Sequence, residues 1–183
     1  MSTQKLDEIV IGRAKNALLS FFERRLSVPK IYLDANWEGQ KVDVLAIDRD
    51  GVGDLSIALI AEMKNAPDES NVSKDLTELF LFPTRKLQSL PAHFKYVVAI
   101  SNDADKWESS DMGRNLAEVM SKFPLLYAPD GVGRIGHILI DFRGERPNIS
   151  MPISPERFRS TKHMFELADE FIPSHTADFE VRT

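Results

Sequence analysis

The chain reads as an α/β fold, a central mixed sheet flanked by helices. Three observations predict it. Lys5–Leu26 is amphipathic, with Leu6, Ile9, Val10, Ala14, Ala17, Leu18 and Phe21 recurring at helical spacing. Val42–Ile47 and Leu55–Met63 are apolar runs, broken by Asp43 in the first and by Ser56 and Glu62 in the second. Strands apolar on both faces are central strands covered from both sides. Phe94–Ile100 (FKYVVAI) is a β-branched strand reached through a helix-length segment, and such a crossover makes it parallel to the strand before it.

The elements follow in order. Ser2 or Thr3 caps the first helix, with Asp7 and Glu8 near its positive end. Pro29 closes the helical region, and Lys30–Asp34 is the first strand, followed by a loop through Trp37 and Glu38. Arg49-Asp50-Gly51-Val52-Gly53-Asp54 has turn composition, so Val42–Ile47 and Leu55–Met63 form a hairpin. Asn71 or Ser73 caps a helix running toward Leu90, which Pro83 should kink or split. Ser109 or Ser110 opens a helix through Lys122. Leu125–Ala128 and Ile135–Phe142 then flank a second Asp-Gly-Val-Gly turn as another hairpin. Neither copy of that turn has the strand, glycine loop, helix and lysine of a P-loop. Ser154-Pro155-Glu156 is a helix start, for a last helix ending near Phe171, and Pro173–Thr183 reads as a loose tail. The expectation is one domain over residues 1–183: a core over about 3–101, an extension over about 102–173 that adds a hairpin and a helix, and a tail over 174–183.

At 183 residues and 43% hydrophobic, the chain is long and apolar enough for a real core. With no cysteine there is no disulfide and no thiolate zinc site, which fits a reducing, cytoplasmic setting. The N-terminal residues lack the basic and apolar regions of a signal peptide. No apolar run approaches the roughly 20 residues of a membrane span. A net charge of −5 counts against a broadly basic nucleic-acid surface. The four histidines, His93, His137, His163 and His175, lack zinc spacing, and there is no G-x-S-x-G elbow.

Three charges stand out in the hairpin. With its loop at Gly51–Asp54, Asp50 pairs with Leu55, and counting back sets Asp43 opposite Glu62. Lys64 then shares their face, while a slip of one residue would separate them. In this register Val42, Val44 and Ala46 share a face with Leu59, Ala61 and Met63. Charges in so apolar a setting need pairing or a metal. A salt bridge from Lys64 to Glu62 or Asp43 near the sheet edge explains the three as well as a functional site does.

Asp43 followed by Glu62-Met63-Lys64 resembles the D…(D/E)-x-K signature of the PD-(D/E)xK nuclease superfamily, the restriction-endonuclease-like fold. The expected α-β-β-β-α-β order matches that family's core. The resemblance implies a metal-dependent DNA endonuclease. Asp43, Glu62 and the Met63 carbonyl would hold Mg²⁺ or Mn²⁺, and Lys64 would orient the attacking water. Glu8 would match the metal-linked glutamate that several members carry on the first helix; an exposed acid at a helix N-terminus is the plainer reading. Many relatives cut DNA as homodimers, so the partners implied are DNA and a second copy. Arg157, Arg159 and Lys162, within RFRSTKH, would grip phosphates or else form a solvated helix face. The alternative from a different class is a catalytically inactive module that keeps the fold for nucleic-acid or protein binding.

Overall fold

A computed structural model describes residues 3–48, 54–61, 72–101, 131–142 and 144–180. In chain order they form α1 (Thr3–Arg25), β1 (Pro29–Trp37), β2 (Gln40–Asp48), β3 (Leu55–Ile60), α2 (Val72–Ser89), β4 (Phe94–Ser101), β5 (Gly136–Asp141), β6 (Asn148–Ile153), α3 (Lys162–Ser174) and β7 (Phe179–Glu180). The predicted helix after Ser109 and the strand Leu125–Ala128 lie outside the described residues, as does the turn Gly51–Gly53.

The strands make one seven-stranded mixed sheet in the order β6-β5-β4-β3-β2-β1-β7. β1, β2 and β3 form an antiparallel meander. α2 then carries the chain across, so that β4 runs parallel to β3, and β5 runs parallel to β4. Alternate residues of the central strands feed two apolar layers, as their two-sided apolar sequences require. On one face Ala14, Leu18 and Phe22 of α1 pack on Ile31, Val44, Ala58 and Val98. On the other, Leu87 of α2, Leu90 just past its end, and Met164, Ala168 and Phe171 of α3 pack on Leu45, Ile57 and Val97.

The observed register corrects the expected one. Leu55 pairs with Ile47, not with Asp50, and Val44 pairs with Ala58. The shift is three residues. Being odd, it exchanges faces: Leu59 and Ala61 join Leu45 and Ile47, while Ala58 and Ile60 join Val44 and Ala46. Extending the ladder sets Asp43 opposite Leu59 rather than Glu62. Tertiary bonds outrank the turn in fixing this register. Asp48 closes β2 by accepting from Ser27 N and Val28 N at 3.0 Å each, and its own amide donates to Asp54 O at 2.9 Å. Leu55 N donates to the buried His93 Nδ1 at 2.9 Å.

Other boundaries differ as well. β1 continues past Asp34 to Trp37, and the hairpin closes on Glu38 (φ 51) and Gly39 (φ 72), both left-handed as a tight twisted turn needs. Trp37 is core, not loop: it is 1% exposed and donates Nε1–H to Pro91 O at 2.8 Å. α2 runs through Pro83 as a single helix. The last helix starts at Lys162, capped by Thr161, rather than at Ser154. Glu156 instead exchanges backbone bonds with Arg134, and Phe158, buried, donates its amide to His93 O at 2.8 Å. These long-range bonds override the local Ser-Pro start signal. β6 is a strand that the local sequence signals do not announce, and the tail is tied down as far as Glu180. Asp178 and β7 pair with β1, and Lys30 meets Glu180 at 2.8 Å. The extension thus adds β5 and β6 at one edge of the sheet, and the tail adds β7 at the other. Among the described residues no helix is long and apolar enough to cross a membrane.

Candidate active site

The site begins with a bend in the β1–β2 hairpin. Before it, Leu33 and Val44 pair and face α1; after it, Ala35 and Val42 pair and face α2 and α3. The alternation of faces resets between them, at Asp34 and Asp43. Asp34 takes up the change with φ 53, a left-handed conformation that aspartate tolerates better than most residues. The distal hairpin folds over α2, where Lys86 Nζ donates to Lys41 O.

The bend presents both carboxylates to Lys15 of α1. Lys15 Nζ lies 2.7 Å from Asp34 Oδ1 and 3.4 Å from Asp43 Oδ1. Lys41 Nζ also holds Asp34 Oδ1, at 2.8 Å. Burial would push the Asp34 carboxyl up, but Lys15 and Lys41 outweigh it and hold it below its ordinary value. The other oxygen of Asp43, Oδ2, accepts from Ile60 N at 2.8 Å. Ala61 N donates toward β4, to Val98 O, so Ile60 N faces β2. Asp43 therefore takes the place of the next ladder acceptor and ends the β2–β3 pairing two residues before Glu62. Each carboxylate oxygen of Asp43 carries one of these contacts, and a carboxylate oxygen has a second lone pair.

Glu62, Met63 and Lys64 lie outside the described residues. Glu8 is exposed on α1, two turns before Lys15 and on nearly the same line of the helix, about 10 Å along the axis. Arg157 stands elsewhere: it binds Asp54 Oδ1 and Ser160 Oγ at 2.6 Å each, at the start of β3. Ile60 is six residues on, about 20 Å along the strand. Arg159 is exposed on the extended segment before α3, and Lys162 opens that helix in an i,i+4 pair with Glu166 at 3.1 Å. The basic segment is therefore not a helix face, apart from Lys162 and His163. Among the described residues no three His, Asp or Glu form a metal-sized group.

Lys15, Asp34 and Lys41 escaped the sequence reading. Lys15 sits beside the apolar stripe, between Ile11 and Leu18, where a lysine can lay its stem on the core and keep its head at the edge. Asp34 looked like a strand end because nothing local announces that the strand bends and continues.

No family model and no curated protein matches the chain. Among solved structures, a protein of unknown function from Silicibacter pomeroyi is similar at a TM-score of 0.40 and 10% identity, over 80% of this chain and 73% of that one. So distant a likeness carries no argument about the site.

Proposed function

We propose that the chain is a metal-dependent nuclease of restriction-endonuclease-like fold that hydrolyses phosphodiester bonds in DNA. One observation carries the reading. Asp43 projects from β2 at the point where β3 leaves the ladder, tied to Ile60 N, in a chain ordered α1-β1-β2-β3-α2-β4 with β3 and β4 parallel. The D…(D/E)-x-K pattern asks for an acid at that junction, with Glu62-Met63-Lys64 just beyond it.

The donor set fits a hard divalent cation. Asp43 supplies carboxylate oxygen, each atom of which carries one contact among the described residues, and an ammonium already rests against it. Asp43, Glu62 and the Met63 carbonyl would hold Mg²⁺ or Mn²⁺, with Glu8 as a more distant acid. A bound metal would polarise the scissile phosphate and lower the pKa of the attacking water. Lys64 would orient that water and meet the charge growing on the phosphate oxygens. Its ammonium would also relieve repulsion between Asp43 and Glu62. The test is DNA cleavage with Mg²⁺ or Mn²⁺ by Lys64→Met beside the parent. Loss of cleavage with an unchanged melting temperature supports the role, and full activity refutes it.

A second reading, an inactive binding module, is favoured by the Lys15–Asp43 ion pair and by the net charge of −5. Calorimetry that finds no Mg²⁺ or Mn²⁺ binding dependent on Asp43 would favour the module.

A further inference from the structure

We infer that Lys15 is a tethered cation that competes with the divalent metal for Asp43, with Asp34 as the carboxylate onto which it withdraws. The inference rests on Asp43 being a metal ligand. Three features of the bend support it.

The first is the asymmetry of the two contacts. Lys15 Nζ is in full hydrogen-bond contact with Asp34 at 2.7 Å but only leans on Asp43 at 3.4 Å. A small movement of the ammonium would release Asp43 without costing Lys15 its main partner. The second is charge balance. Among the described residues, Lys15 and Lys41 match the charges of Asp34 and Asp43, so an arriving dication meets paired rather than open carboxylates there. The third is shielding. The Lys15 side chain is only 14% exposed, and Asp43 21%, so water weakens their attraction, and the repulsion between ammonium and metal, less than it would on an open surface.

Asp34 is held in readiness for this role by the fold. Its left-handed backbone at the bend turns the carboxylate toward α1, and Lys41 anchors the same oxygen from the other side. Lys15 thus regulates metal loading of the site rather than taking part in the reaction. It serves as a positioning residue acting through Asp43.

The test is isothermal titration of the full chain with Mn²⁺ alone. Lys15→Met keeps the apolar stem and removes the charge; it should bind Mn²⁺ about tenfold more tightly than the parent, the effect expected of removing one neighbouring like charge. Lys15→Gln should shift affinity in the same direction and stands in if the Met variant folds poorly. Lys15→Arg keeps the charge and should stay near the parent. Asp34→Asn should weaken Mn²⁺ binding, and should do so much less in the Lys15→Met background, because Asp34 acts through Lys15. Binding by Lys15→Met equal to or weaker than the parent's overturns the inference while leaving the metal site standing. No binding by the parent, Lys15→Met or Lys15→Gln overturns the metal reading itself, and this inference with it.

Discussion

Asp43 Oδ2 accepts a 2.8 Å hydrogen bond from the Ile60 amide, so one carboxylate both ends the β2–β3 ladder and marks where the candidate site begins. This double duty separates two substitutions that look alike. Asp43→Ala leaves a half-buried amide without its acceptor and should cost about 1–3 kcal/mol of stability. Asp43→Asn keeps an oxygen for Ile60 N and should cost less, while still losing the charge a metal needs. Urea denaturation of both variants checks the order; equal losses would mean that the Ile60 bond contributes little.

Lys95 on β4 is 3% exposed, with its ammonium 4.1 Å from the centre of the Phe158 ring and 3.3 Å from Gln88 O. Burial depresses its pKa from 10.5 to about 8. Between those values the unfolded chain binds the proton and the folded chain does not, so stability should rise as pH climbs from about 8 toward 10.5. Lys95→Met lacks this dependence. Its stability relative to the parent should fall by about 3 kcal/mol between pH 7 and pH 10.5. Chemical denaturation at the two pH values reads the change, and a difference that does not vary with pH would contradict the assignment.

The C-terminal strand is predicted to be structural. Asp178 Oδ2 accepts from Leu33 N at 2.7 Å, and Asp178 N donates to Ile31 O at 2.8 Å. Leu33 adjoins Asp34, so these bonds brace the bend. Removing residues 178–183 should cost about 1–3 kcal/mol. A truncated chain that melts with the parent would show the tail to be dispensable.

How far the fold could be read from the chain depends on the range of the forces that set each element. α1, the β1–β2–β3 meander, α2 and β4 are written in local periodicity, which sequence displays directly. Registers and ends are set by partners far along the chain. Asp48 on the amides of Ser27 and Val28, and His93 on Leu55 N, displace the hairpin by three residues from where its glycines alone would put it. Phe158 and Glu156 hold an extended segment where Ser154-Pro155 suggests a helix. In the site, Asp43 was legible as a charge in an apolar strand. Lys15 and Asp34 were not, because only the bend brings α1 and β1 together there.

The central claim is tested most directly by incubating the purified chain and Asp43→Asn with linear, circular and branched DNA in Mg²⁺ or Mn²⁺. The account predicts cleavage by the parent, none by Asp43→Asn, and none by either once the metal is chelated. Equal cleavage by the two proteins, or cleavage by neither on any substrate, would contradict it.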